Sequence, residues 1–342
     1  HRFDTRSSSL GYLMCLNLFP SYDRMVWVMM MKKVLFVIDT EPQDVEKVMN
    51  CGCDVRMKDK KDVTSEDIEW ADAVVGNVNP ALVENSDIEW MHLESAGTDK
   101  YRNLKESILV TNSTGAYGKA ISEHMLAGVF YFYKRLNQYV AAQPYHQWKN
   151  LGSVDSVRES KTLVLGMGDI GSQFAEDMHN LGSTIYGVRR RSAEGPALVE
   201  TMYKFDTMDE IIGECDIIAL CLPDTEETRN IIHLERLQKM KKSAVLINIG
   251  RGSAINTIDL MKVLDEGWFK GVLLDVTNPE PLPINHRLWN YDNVVITPHV
   301  SGNYNMHYTY ECVIDIAVNN MKHFAKGETL EKIVDRQHWY TK

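Results

Sequence analysis

The sequence has no apolar run near its start that could cross a bilayer as a helix, which takes about 20 residues. The runs at 10–19 and 25–31 both fall short of that length. Positive charge is also scarce, because 37 lysines and arginines stand against 47 aspartates and glutamates, for a net charge of −10. General nucleic-acid binding needs a basic face. We therefore expect neither a membrane protein nor a nucleic-acid-binding protein.

Cysteine is sparse, with six residues scattered over the chain. Only Cys51 and Cys53 lie close together, and no neighbouring histidine or cysteine completes a set of metal ligands. Free thiols are typical of a reducing compartment. The sequence therefore predicts a cytoplasmic protein without a metal site.

The chain is long enough for about two domains, since domains average roughly 150 residues. Its 342 residues are 44% hydrophobic and 25% charged, which allows a sizeable core. Residues 1–30 differ in composition from the rest, and we interpret them as an upstream extension before a natural start at Met31. An ordered N-terminal arm is the alternative.

Strand-like and helix-like runs alternate along most of the chain. Short strands are predicted at 33–39, 73–76 and 90–93, a buried helix at 120–140 and a linker at 143–157. Six more strands are predicted at 162–165, 184–188, 217–220, 244–249, 271–276 and 293–297, and an amphipathic helix at 308–325. Such alternation predicts doubly wound parallel sheets of the Rossmann type.

A glycine-rich loop, GMGDIG at 166–171, directly follows the strand KTLVLG. Gly166 would allow the tight turn, Gly168 the approach of a pyrophosphate, and Gly171 close packing of the next helix. The amides of Asp169 and Ile170 would face the phosphates at the positive end of that helix. A purely structural glycine turn is the alternative.

The next strand ends in three arginines, Arg189, Arg190 and Arg191, with no acid before Glu194. NAD sites usually carry an acid there for the ribose hydroxyls, whereas arginines pair with a 2′-phosphate. The sequence therefore favours NADP over NAD, and a solvated basic loop is the alternative.

Three later strands end at reactive side chains: Arg251 in NIGRGS, Glu280 in the NPEPLP loop, and His299 in TPHVSG. Histidine suits proton delivery near neutral pH, and a carboxylate keeps it protonated and oriented. A guanidinium binds a substrate carboxylate through two bonds. Each residue alone has a structural alternative, but together with the glycine loop they predict hydride transfer between a nicotinamide cofactor and a 2-keto/2-hydroxy acid.

The chain resembles the D-isomer-specific 2-hydroxyacid dehydrogenase family from about residue 31 to residue 324. The motifs that carry the resemblance are ESAGTD at 94–99, TNSTGAYGKAISEH at 111–124, GMGDIG at 166–171, CLPDTEET at 221–228, INIGRG at 247–252, LDVTNPEPLP at 274–283 and TPHVSG at 297–302. The residues 1–30 match nothing in the family.

The resemblance implies roles for individual residues. Arg251 would bind substrate, His299 would be the acid/base with Glu280 as its partner, and the amides of Ala96 and Gly97 would hold the substrate carboxylate. Asp275 would bond the nicotinamide amide. Further cofactor contacts would come from Leu222, Pro223, Thr228, Ile249, Gly250, Arg251, His299 and Gly302.

The resemblance also implies a homodimer and a cofactor domain inserted into a discontinuous substrate domain. The expected limits are 31–130 with 307–342 for the substrate domain and 131–306 for the dinucleotide-binding domain. Three functions stay open: an NADP-preferring glyoxylate/hydroxypyruvate-type reductase, an NAD-linked phosphoglycerate dehydrogenase-like enzyme, and a dinucleotide-sensing corepressor-like protein. A pocket that involves His92, Trp289 and Tyr304 would choose the substrate.

Overall fold

The computed structural model describes residues 31–190, 194–304, 306–337 and 339–341, so the predicted extension at 1–30 and Arg191 lie outside the described residues. The chain divides into two compact units. The first comprises 31–94, 103–111 and 314–333, and the second 95–102, 112–313 and the residues from 334 onward. In the described part of the chain, no helix is long and apolar enough to cross a membrane.

The first unit is built on a five-stranded sheet in the order β2-β1-β3-β4-β5. The strands β1 to β4 pair in parallel. The predicted strands at 33–39, 73–76 and 90–93 are confirmed, whereas β2 and β5 were missed. The strand β2 alternates exposed charged residues with half-buried ones, and β5 ends in the polar pair Thr111 and Asn112, so neither is a continuous apolar run. The bounds are β1 Lys33–Phe36, α1 Pro42–Met49, β2 Asp54–Met57, α2 Ser65–Trp70, β3 Ala73–Val75, α3 Pro80–Val83, β4 Trp90–Leu93 and β5 Leu109–Asn112.

The second unit is built on a seven-stranded, fully parallel sheet in the order β12-β11-β10-β9-β6-β7-β8. The order reverses between β6 and β9, as in a Rossmann domain, so the predicted doubly wound fold is confirmed. The strands are β6 Lys161–Leu165, β7 Thr184–Val188, β8 Val199–Tyr203, β9 Ile217–Leu220, β10 Val245–Asn248, β11 Gly271–Leu274 and β12 Val294–Ile296; the helices are α4 Gly118–Tyr133, α5 Leu136–Ala142, α6 Asp169–Asn180, α7 Leu234–Lys239 and α8 Thr257–Asp265.

All six strands predicted for this sheet are present, but the edge strand β8 was missed. Its sequence VETMY is mostly half-exposed and polar, so it lacks the apolar run that marks the buried strands. The buried core of the sheet consists of branched aliphatic side chains from β6, β9, β10 and β11.

The single helix predicted at 120–140 is wrong, because the structure breaks it into α4 and α5. Arg135, between them, has a left-handed backbone with φ of 55°. The predicted burial holds for Phe132 and Tyr133 of α4, and a Cβ on Gly271 would overlap the Phe132 ring. It does not hold for α5, where Leu136, Tyr139 and Val140 are exposed.

The chain ends with α9 His307–Lys326 and the short antiparallel pair β13 Val334–Asp335 and β14 Tyr340–Thr341. The helix predicted at 308–325 is confirmed. The two units differ from the expected domain limits, since α4 and the residues from 334 onward are grouped with the seven-stranded sheet. The assignment of one domain to substrate and the other to cofactor stays a prediction.

Candidate active site

The glycine-rich loop lies between β6 and α6, next to the point where the strand order reverses. Gly166 has φ of +96°, and a Cβ there would lie 2.6 Å from the Cys221 carbonyl oxygen. A Cβ on Gly168 would meet no atom within 4 Å, so the space above it is open. Gly168 caps α6 without a side-chain hydrogen bond, which leaves the first amides of the helix facing that space. This cradle fits the pyrophosphate of a dinucleotide.

The arginines at the end of β7 have different partners. Arg189 donates from Nη2 to the Met167 carbonyl oxygen at 2.8 Å and from Nη1 to the Glu194 carbonyl oxygen at 3.2 Å. Arg190 donates to the Glu227 carboxylate at 3.0 Å. Within the described residues, Arg189 therefore lies beside the glycine-rich loop with backbone partners only, while Arg190 is paired with an acid. Sequence reasoning missed Glu227, which comes from a distant loop.

Arg251 follows β10 in a turn that is shaped by Asn248. The Asn248 side chain donates to the Arg251 carbonyl oxygen at 2.9 Å and accepts from the Gly250 amide at 3.2 Å. The Arg251 guanidinium donates from Nε and Nη2 to Asp99 Oδ2, at 2.8 and 2.6 Å. A Cβ on Gly97 would lie 2.2 Å from Arg251 Nη2, so a larger residue at position 97 would displace the guanidinium from this position. The guanidinium thus lies against the backbone predicted to hold the substrate carboxylate.

His299 and Glu280 form the predicted pair, with His299 Nδ1 at 2.6 Å from Glu280 Oε1. A carboxylate only accepts, so Nδ1 carries the proton and Nε2 is the nitrogen left for a substrate. Both side chains are nearly half exposed, at 47% and 43%. The strands β10, β11 and β12 are neighbours in the sheet, so Arg251, Glu280 and His299 follow adjacent strand ends.

Asp275 holds the backbone around His299. Its buried carboxylate accepts from the Thr297 hydroxyl at 2.6 Å, the Val300 amide at 2.9 Å, and the Ser301 amide and hydroxyl. Burial alone would raise the pKa of Asp275, but these donors lower it below the usual value. All four acceptor positions are filled within the chain. The contact with the nicotinamide amide implied by the resemblance stays a prediction.

The other predicted residues have the following contacts. The Thr228 hydroxyl donates to the Pro223 carbonyl oxygen at 2.6 Å, and a Cβ on Gly250 would lie 2.5 Å from the Leu222 carbonyl oxygen. The Ala96 carbonyl oxygen accepts from Asn112 at 2.8 Å. Of the rest, Ile249 is buried after β10 and Gly302 lies near Ile121 of α4.

The three residues suggested for substrate choice lie in different environments. His92 is fully buried in the first unit, its Nδ1 lies 2.8 Å from the Thr111 hydroxyl, and burial lowers its pKa to about 3. Trp289 is half-exposed and donates to the Pro283 carbonyl oxygen, and Tyr304 packs edge-to-face on Tyr310. His92 is therefore a core residue and not a pocket residue.

Comparisons with known proteins agree with this geometry. A family model described as "D-isomer specific 2-hydroxyacid dehydrogenase, NAD binding domain" matches residues 126–301. An uncharacterized protein of Corynebacterium melassecola is 32% identical over 79% of this chain and 90% of that protein. A glyoxylate reductase of Aeropyrum pernix is 33% identical over 67% of this chain and 70% of that protein. A D-isomer specific 2-hydroxyacid dehydrogenase family protein from Aeromonas salmonicida is similar in structure, with TM-score 0.78, 26% identity, and coverage of 90% of this chain and 99% of that one.

Proposed function

The chain belongs to the D-isomer-specific 2-hydroxyacid dehydrogenase family, an NAD(P)-dependent group of oxidoreductases, and we propose that it is a glyoxylate/hydroxypyruvate-type reductase. The hydrogen-bonded pair of His299 and Glu280 beside Arg251 carries this proposal. The likeness to a glyoxylate reductase supports a short 2-keto acid as the substrate.

The chemistry follows from the side chains. When bound, the nicotinamide cofactor supplies the hydride that adds to the keto carbon. Arg251 binds the substrate carboxylate, together with the amides of Ala96 and Gly97. His299 gives a proton from Nε2 to the keto oxygen as negative charge develops there, and Glu280 fixes the ring through Nδ1. The Asp275 carboxylate keeps the backbone at His299 in place.

We further propose that NADP is the preferred cofactor. Arg189 is oriented by the carbonyl oxygens of Met167 and Glu194, beside the loop that would bind the pyrophosphate. Its partners within the described residues carry no negative charge, so the guanidinium keeps its full charge for a 2′-phosphate. Arg190 contributes less because Glu227 compensates it.

A homodimer is proposed from the exposed apolar residues of α5 and the segment that follows it. Val140 is 55% exposed and Trp148 fully so, and Leu136, Tyr139, Tyr145 and Val154 are exposed as well. An apolar patch of this kind marks an interaction surface, and a second copy is the partner that the family resemblance implies.

The described cysteines are all free thiols, which supports the proposed cytoplasmic location.

A substrate panel tests the function. Glyoxylate, hydroxypyruvate, pyruvate and a phosphorylated hydroxy acid would be assayed with NADPH and with NADH at one ionic strength. We expect the highest kcat/KM with glyoxylate or hydroxypyruvate and NADPH. A clear preference for the phosphorylated substrate would favour the phosphoglycerate dehydrogenase-like alternative. Cofactor binding without turnover of any substrate would favour the corepressor-like alternative.

A further inference from the structure

We propose that Asp99 is a positioning residue of the substrate site, which orients the Arg251 guanidinium while Arg102 restores the positive charge that an anionic substrate needs. The inference rests on the proposed function, because it assumes that Arg251 binds the carboxylate of a 2-keto acid. Asp99 lies in the ESAGTD motif, but neither its residue type nor its spacing indicated this role.

The orientation of Arg251 is set by three hydrogen bonds. Nε and Nη2 donate to one oxygen, Asp99 Oδ2, and Nη1 donates to the Gly250 carbonyl oxygen at 2.7 Å. Each terminal nitrogen therefore keeps a second N–H for a ligand. Since a guanidinium is planar, fixing three of its five N–H groups fixes the directions of the other two. Asp99 thus decides where a substrate carboxylate is bound.

The charges require a further partner. A pair of Arg251 with Asp99 alone would be neutral and would lose most of its attraction for an anion. Arg102 donates from Nη2 to Asp99 Oδ1 at 2.8 Å, so two guanidinium groups share one carboxylate and a net charge of +1 remains. The three side chains are about 30% exposed, so a substrate can reach them.

The same contacts attach the segment 95–102, which supplies Ala96 and Gly97, to the strand ends of the second unit. Arg102 donates to the Asp224 carbonyl oxygen in the loop after β9. The Asp224 carboxylate in turn pairs with Arg229 and accepts from the Ser253 hydroxyl at 2.8 Å. Asp99 therefore fixes the guanidinium and the amide-bearing segment relative to each other, so that they can bind the same carboxylate.

The test is a double-mutant cycle on the full chain with the keto acid that the panel identifies. Asp99→Asn should lower kcat/KM by about 10- to 100-fold, the loss expected when a reacting group is misplaced by an ångström. Arg102→Leu should raise KM by about 3- to 10-fold and leave kcat nearly unchanged, because lost charge weakens the bound ground state and transition state alike. NADPH affinity, measured by fluorescence titration, should stay within about twofold in both variants and also shows that they are folded.

The decisive measurement is the effect of Asp99→Asn in an Arg251→Lys background. If Asp99 acts through Arg251, the second change should add less than about a threefold further loss. Asp265→Asn, which removes the pair between Asp265 at the end of α8 and Arg287, is the matched control and should leave KM unchanged. Additive losses in the cycle, or a wild-type-like Asp99→Asn enzyme, would overturn the inference alone. Absence of keto-acid turnover by the wild-type protein would overturn the proposed function and the inference together.

Discussion

At the residue scale, the proposed acid/base residue His299 has an unusual backbone conformation. His299 has φ of 54°, a left-handed conformation that costs a non-glycine residue about 1–3 kcal/mol. The amides of Val300 and Ser301, which follow it, both donate to the Asp275 carboxylate, and the His299 amide donates to the Asp275 carbonyl oxygen at 2.8 Å. Asp275 thereby stabilises the turn that directs the imidazole toward Glu280.

The role of His299 can be tested by substitution. His299→Ala should lower kcat by about 10²- to 10⁴-fold, the usual contribution of general acid–base catalysis. Steady-state kinetics with the identified keto acid would measure this, with His233→Ala, at the start of α7, as the control. Near-wild-type turnover of the His299 variant would remove it from the mechanism.

Arg189 allows a test of cofactor choice. One charge-assisted hydrogen bond contributes about 1.5–3 kcal/mol, which favours NADPH over NADH by roughly 10- to 100-fold before solvent and salt reduce the effect. Arg189→Asp should lower kcat/KM for NADPH and leave that for NADH nearly unchanged. Arg190→Ala is the comparison, and its effect should be smaller because Glu227 already pairs with Arg190. A wild-type enzyme that prefers NADH would contradict the assignment.

At the element scale, the break between α4 and α5 shows how tertiary contacts override a local pattern. The apolar run continues through residue 133, and no proline interrupts it. The break comes at Lys134 and Arg135, whose side chains donate to the Asp155 and Ser153 carbonyl oxygens at 2.7 and 2.8 Å. These partners lie about 20 residues further along the chain, so the helical pattern itself carries no sign of them.

The start of α2 gives a prediction about stability and pH. Asp67 is buried and accepts from the Thr64 amide and hydroxyl, at 2.9 and 2.8 Å, and from Arg56 and Lys58. The hydrogen bond from Lys58, followed by that from the Thr64 amide, holds the pKa of Asp67 far below its usual range. The unfolded chain binds this proton first as the pH falls, so the contribution of Asp67 to stability is present above about pH 5 and decreases below it.

We therefore expect Asp67→Asn to lower the free energy of unfolding by about 1–3 kcal/mol at pH 7, because charged donors lose their partner. The difference from wild type should shrink at pH 4, where the wild-type advantage is partly lost. Urea unfolding at both pH values would measure this, with the exposed Asp87→Asn as the control. An equal difference at the two pH values would show that the charge of Asp67 does not matter.

At the scale of the whole molecule, the proposed dimer makes α5 and the segment after it an interface. Val140→Asp would place a charge in that apolar patch and should shift the protein toward monomers. Sedimentation velocity over a hundredfold concentration range would measure the shift. Ile258→Asp, at an exposed apolar position of α8 outside the patch, is the control. A wild-type protein that stays monomeric throughout would contradict the homodimer.

The sequence by itself determined the Rossmann class, the glycine-rich loop and the residues Arg251, Glu280 and His299. Buried parallel strands need continuous apolar runs, and their reactive residues come directly after those runs, so both can be recognised locally. Polar edge strands such as β8 carry no such signal. Because Glu280 and His299 come just after neighbouring strands, the sequence could place them close together. It could not show that Asp275 holds the turn at His299.

Only the tertiary structure decided which side chains hold the proposed catalytic and cofactor-binding residues. Asp99 meets Arg251 across 152 positions of the sequence, and Glu227 meets Arg190 across 37. The break after α4 and the burial of His92 against Thr111 likewise depend on partners that are distant in sequence. A hydrogen bond or an ion pair needs two groups within a few ångströms, and that proximity arises only when the strands are in register and their loops converge.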